Sequence, residues 1–308
     1  MKYILVLAAL VITSHLSAQQ TIQEKLGYPK NTKLLIIHAD DIGVSHSENV
    51  ATIAAMEKGS VNSGSIMVPC PWMPEIATYA KAHPNIDLGL HLTLTAEWKE
   101  YKWGTVLPRT EVPSLVDEKG FLPDNSGAVG QNAKPAEVEK ELRAQVERAK
   151  QFGIDPTHFD THMGSALVSV DIAKIYVKLG NEYKVPVLMH AGMAKAYLNA
   201  ELKDIGAENN VVVDNIFMAN PPDFKGGMKN FYTKVLKEMP AGLNVILLHA
   251  AHDDSEMKAV TVDHPDYGAA WRQADFEFFT SEDCKKALKD NNIKLVTWKE
   301  IRDKVVRK

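Results

Sequence analysis

The chain has 308 residues, 45% of them hydrophobic and 24% charged, with a formal net charge of -4. That is enough apolar material for one large core, and it excludes a disordered, collagen-like or disulfide-dense chain. A mildly acidic composition without a Lys/Arg block also excludes nucleic-acid binding by phosphate neutralisation. The two cysteines, Cys70 and Cys284, cannot make a four-thiolate zinc site.

Residues 1–18 read as a signal peptide. Lys2 supplies the positive start, Tyr3–Ile12 an apolar run too short to span a bilayer, and Ser17-Ala18 a small-residue exit. Cleavage there removes one lysine and moves the formal charge from -4 to -5. The expectation is an exported protein, periplasmic or secreted, with no transmembrane segment once processed and a single domain over 19–308.

From residue 33 strands and helices alternate. "KLLIIHAD" (33–40) is a continuous apolar strand, as expected for a strand covered on both faces. "SENVATIAAMEKG" (47–59) follows as a helix with a serine start and glycine stop. Strand 61–68, a proline-opened helix over 71–84 and strand "IDLGLHLTL" (86–94) come next. Residues 96–134 break the rhythm, a long insertion rich in Gly, Pro and Trp without periodicity. An amphipathic helix (135–153) opens with proline and ends at glycine. The spacing then predicts strand 157–163, helix 170–183, strands 185–190 and 211–218, helix 227–238, strand 243–249, helix 281–290, strand 293–297 and a last helix over 298–306. About seven strands alternating with helices give an α/β fold with a parallel sheet. No glycine-rich phosphate turn follows the first strand, so a distorted (β/α) barrel fits better than an open dinucleotide-binding sheet.

In such folds the chemistry gathers at the strands' C-terminal ends. Strand one ends in His38, Asp40 and Asp41; strand three carries His91; strand four, "HFDTH", carries His158, Asp160 and His162; a late strand ends in His249, with His252 beyond it. Residues 158, 160 and 162 alternate along one strand and so share a face, where an unpaired polar row would be costly. The convergence predicts a metal site at a polar rim. Asp40 and Asp41 can serve one site only if the strand turns there, which Gly43 allows. One carboxylate would then fix a cation and the other accept a proton from water.

"LLIIHADDIG", "DLGLHLTLT" and "PTHFDTH" together resemble the YdjC-like (ChbG/HpnK) carbohydrate deacetylases from about residue 33 to the C-terminus. The resemblance implies a distorted (β/α) barrel that removes acetyl groups from N-acetylated carbohydrates with one divalent metal ion, Mg²⁺ or Zn²⁺. It makes Asp41, His91 and His162 the ligands, Asp40 the general base and His249 the acid. "HADDIG" stands where the family often has "NADDFG", "HAAHDD" where "HP" is common, and the arginine expected near "VLMHAGM" is missing. A rival set would use His158 with His162, the H-x-x-x-H spacing of NodB-type deacetylases. Trp98 and Trp103, directly after the His91 motif, are expected to stack on sugar rings, and His158 and Asp160 to orient the ligands. Two further readings stay open: another metallohydrolase, acting on a phosphoester or a non-sugar amide, and an exported carbohydrate-binding protein of the same fold. A homo-oligomer is allowed.

Overall fold

In the computed structural model, which describes residues 20–308, strand β1 (Lys33–Ile42) forms the spine and every residue of it after Lys33 is buried. The expected signal peptide lies outside the described residues. Around β1 run β2 (Ser63–Ile66), β3 (Leu88–Leu92), β4 (Phe159–Thr161), β5 (Asn215–Met218), β6 (Gly242–Leu248) and β7 (Ile293–Leu295). All pairings are parallel, in the order β4-β3-β2-β1-β6-β5. On the edge of β1 opposite β6, β7 pairs with Lys33–Leu35 and β2 with the stretch from His38 to Ile42.

Main-chain bonds carry the sheet round towards closure. Phe159 of β4 forms an isolated parallel bridge with Val187, Val213 N–H donates to the Met189 carbonyl at 2.9 Å, and Asp214 N–H donates to Leu243 of β6 at 2.8 Å. The result is a distorted (β/α) barrel of seven parallel strands with helices outside, as the alternation predicts.

The expected strand over 185–190 is only that single bridge. Pro186 offers no N–H to a ladder, and the chain turns at His190 into a helix, Ala191–Leu198. The insertion 96–134 is more ordered than its composition suggests. It holds a 3₁₀ turn, Pro113–Leu115, and a helix, Ser126–Asn132, whose first turn is capped by the Asn125 side chain accepting from Ala128 N–H at 2.8 Å. Buried Glu141 of the helix Pro135–Gln151 pins the insertion by accepting from Val106 and Leu107 N–H at 2.8 and 3.0 Å. The last helix is α-helical over Trp298–Ile301 and widens to a π turn over Arg302–Val306. Two helices absent from the sequence reading, Ser255–Val260 and Ala269–Thr280, follow β6, and the second proves decisive for the site. Both cysteines are free and buried. Among the described residues no helix is long and apolar enough to cross a membrane.

Candidate metal centre

The site begins with a break in β1. The register against β2 slips between Ala39 and Ile42, and Asp41 takes a left-handed φ of 65°. A non-glycine residue rarely adopts that conformation, but aspartate tolerates it better than most. The turn delivers the neighbouring carboxylates of Asp40 and Asp41 to the same rim, as both must be to serve one site.

Three side chains from three strand ends then converge. Asp41 Oδ1 lies 3.2 Å from His162 Nδ1 and 3.4 Å from His91 Nε2, and all three residues are buried. Ligand atoms about 2.1 Å from one cation at tetrahedral angles stand about 3.4 Å apart, so this spacing suits a shared ion. Asp41 Oδ1 is buried and accepts no hydrogen bond, which is costly for a carboxylate oxygen unless a cation takes the lone pairs.

The far nitrogens of both imidazoles are held. Asp160 Oδ1 accepts from His91 Nδ1 at 2.8 Å, and Glu97 Oε2 faces His162 Nε2 at 2.9 Å. Such carboxylates fix tautomer and ring direction so that the opposite nitrogen presents a lone pair to a metal. Asp160 thus stands where the sequence placed it. Glu97 was not anticipated, although it sits six residues after His91 at the start of the insertion. The rings carry the charge logic of the site. Burial pulls His162 down, but the Glu97 and Asp41 carboxylates outweigh it and raise it to about 9. His91, pulled down by burial in the same way, is pushed well above its usual range by Asp160 and Asp40. A divalent cation would compete with those protons for the same lone pairs.

An arginine does reach the site, though not from the strand where the resemblance expects one. Arg272, on the helix Ala269–Thr280, is buried and donates through Nη2 to Asp41 Oδ2 at 2.8 Å and through Nη1 to Glu48 Oε1 at 2.6 Å. It occupies one Asp41 oxygen and leaves the other to the histidines. Burial opposes the Asp41 charge, but Arg272 and His162 hold that carboxyl well below the usual range.

Asp40 lies beside the triad. Its Oδ1 is 3.0 Å from His38 Nε2, and its Oδ2 is 3.9 Å from His249 Nε2. His249 also stands 3.9 Å from Asp41 Oδ2, and its main-chain N–H is held by Asp275 Oδ2 at 3.1 Å. Burial, helped by Arg272, pushes the His249 imidazole down to about 4, so it is neutral at physiological pH. His252 turns away and packs edge-on against Phe276.

Two expectations are corrected. His158 touches none of the three converging residues. It is one layer deeper in the barrel, stacked on Trp298 with ring centres 5.3 Å apart and edge-on to His38 at 4.8 Å. Residues 158, 160 and 162 do share a face, but alternate positions along a strand are about 6.6 Å apart, so they occupy successive depths. The rival ligand set built on His158 therefore does not form. Trp98 and Trp103 are 3% and 4% exposed and offer no open face for a sugar. Their rings meet edge to face at 5.8 Å, Arg272 lies over Trp98 at 5.2 Å, and Trp103 Nε1 donates to the Thr95 carbonyl. They form a wall behind His162 and Arg272 rather than a stacking platform.

With the geometry in hand, comparison with known proteins decides the family. A family model described as YdjC-like protein matches residues 34–290. The chain belongs to the YdjC-like family. A carbohydrate deacetylase of Thermus thermophilus is 31% identical over 287 residues, covering 91% of this chain and 97% of the relative. Another, of Thermoanaerobacter pseudethanolicus, is 26% identical and covers 86% and 98%. Among solved structures, an Enterococcus faecalis protein provisionally titled for cellobiose-phosphate cleavage superposes with a TM-score of 0.73 at 24% identity, over 88% of this chain and 99% of its own. That last likeness supports the fold alone.

Proposed function

We propose that this YdjC-like protein is a divalent-metal-dependent carbohydrate N-deacetylase that hydrolyses the acetamide of N-acetylated sugars or oligosaccharides. The observation that carries the reading is the convergence of Asp41, His91 and His162 with a second carboxylate, Asp40, left beside them. The carbohydrate deacetylases that match nearly the whole chain support the substrate class. Two nitrogens and one carboxylate favour Zn²⁺ or another first-row transition ion over Mg²⁺, which prefers oxygen. When bound, such an ion would polarise the amide carbonyl and acidify a water.

The chain's own residues supply the rest. Asp40 accepts the proton of the attacking water. His249, neutral and 3.9 Å away, is within reach of that proton through one water and passes it to the departing amine. Arg272 and Asp160 keep Asp41 and His91 aimed inward. Export to the periplasm or beyond is part of the reading and rests on residues 1–18; N-terminal sequencing of the processed protein checks it.

The test is acetate release from N-acetylated chito-oligosaccharides, with and without chelator. Wild type releases acetate and chelator stops it. Asp40→Asn lowers kcat by about 10²–10⁴ while retaining one metal per chain, whereas Asp41→Ala loses the metal. A metal-loaded wild type that releases no acetate from any N-acetylated sugar refutes the assignment.

A further inference from the structure

A file of buried polar groups runs down from the site, and the proposed chemistry uses only its top. His38, fully buried on β1, is its centre. Its Nε2 lies 2.9 Å from Asp160 Oδ2, 3.0 Å from Asp40 Oδ1 and 3.1 Å from Ser65 Oγ; its Nδ1 meets Ser63 Oγ at 2.9 Å. One nitrogen therefore stands between the candidate base and the carboxylate that orients His91. Ser65 supports Asp160 as well, donating to the same Oδ2 at 2.9 Å, but among the described residues no hydrogen bond to an Asp40 side-chain oxygen has good geometry. His38 Nε2 is the donor placed to reach it.

The ring has little freedom. His158 packs edge-on against it, and His158 is itself clamped between Trp298 and the Cα of Gly89, where a Cβ would stand 2.4 Å from the imidazole. Asp87 Oδ1, 3.7 Å from His158 Nδ1, and Thr157 Oγ1, 2.9 Å from it, close the lower end. A histidine is an expensive way to fill a core, yet this one is braced from below and points its nitrogen upward at two carboxylates.

We propose that His38 is the positioning residue of this site: through one nitrogen it ties Asp40 to Asp160 and so fixes the base relative to the His91 ligand. The groups facing it are Asp40 and Asp160 above, Ser63 and Ser65 from β2 at its side, and His158 below. The proposal separates the roles of two neighbouring carboxylates. Without the imidazole Asp160 keeps two of its three donors but holds His91 less firmly, whereas Asp40 is left with no side-chain donor. The kinetic part rests on the deacetylase reading; the metal-binding part does not.

The experiment compares His38→Gln with His38→Met, which match in length and differ in the donor. Glutamine places an amide nitrogen where imidazole has Nε2; methionine places a methyl there. Three quantities are measured: kcat and KM for acetate release, Zn²⁺ affinity by competition with a chromogenic chelator, and melting temperature. Glutamine is expected to keep kcat within about five-fold of wild type, and methionine to lose at least about 30-fold with KM within about two-fold, a positioning loss that approaches the roughly 10²–10⁴ contributed by a general base itself. Zn²⁺ affinity is expected to fall about ten-fold or more in the methionine form, the scale seen when the outer partners of metal ligands are removed. Equal kcat and equal Zn²⁺ affinity in the two variants overturn the proposal, as does equal loss in both. Should the methionine form not fold, the glutamine form decides: kcat and Zn²⁺ affinity near wild type support the tie, and a loss above about 30-fold at unchanged melting temperature overturns it. If wild type releases no acetate, the functional reading fails, and the Zn²⁺ comparison still tests His38.

Discussion

At the scale of single residues, the site was partly legible because its three converging side chains stand where strand periodicity ends. Asp41, His91 and His162 each lie at or just past the end of a strand that an apolar run announces. Glu97, Glu48, Arg272 and Asp275 were not legible. Each is an ordinary charged residue on a loop or helix, and only tertiary contact turns it into a partner. Asp275 illustrates the point. Burial raises its carboxyl from 3.8 to about 7, despite bonds from Tyr232 and the His249 main chain and the nearby Arg272 charge. A folded-state pKa above the unfolded one means that the native protein binds the proton more tightly. The associated stability is fully present below about pH 4 and is lost as pH rises through 7. The shift corresponds to a contribution on the order of 4 kcal/mol. Asp275→Asn should flatten the fall in melting temperature between pH 5 and 8 that wild type shows; parallel pH profiles for the two proteins would contradict this.

At the scale of elements, the sequence reading succeeded where a run was long and bounded, as in β1, the helix Pro135–Gln151 and the helix Val170–Tyr183, expected around 170–183. It failed where pattern and pairing diverge. Residues 185–190 are apolar enough for a strand, yet Pro186 and the turn at His190 limit them to one bridge. The insertion 96–134 lacks periodicity because it is held at separate points, by the Asn125 cap and buried Val129 of its short helix and by Glu141 on Val106 and Leu107, rather than by one apolar face. Strand β3 shows a finer dependence. Gly89 leaves room for the His158 ring, and any Cβ there would meet it at 2.4 Å. Since His158 is clamped by Trp298 on the other side, Gly89→Ala should cost about 1–3 kcal/mol by overpacking, read as a lower denaturation midpoint at unchanged m-value. An undiminished midpoint would show that the His158 layer can shift.

At the scale of the molecule, the barrel carries a polar axis where most parallel barrels carry stacked aliphatic layers. His158, His38, Asp160 and the converging triad succeed one another from the barrel interior to the rim, all of them buried. A cation that binds the folded rim and not the unfolded chain stabilises the whole barrel, by about 2.7 kcal/mol at a hundred-fold excess over its dissociation constant. Thermal unfolding should therefore shift upward with Zn²⁺ and downward with chelator in wild type, and should ignore both in Asp41→Ala. A metal-dependent shift that survives in that variant would place the ion elsewhere. The helix Ala269–Thr280 adds a consequence for the chain as a whole. Within a single turn it presents Arg272 to the end of β1 and Asp275 to the end of β6, two adjacent strands. The partner of the Asp41 carboxylate and the partner of the His249 main chain thus hang from one bracket. A polypeptide cut off after β6 would keep six of the seven strands in sequence and still lack the piece that braces both of those strand ends.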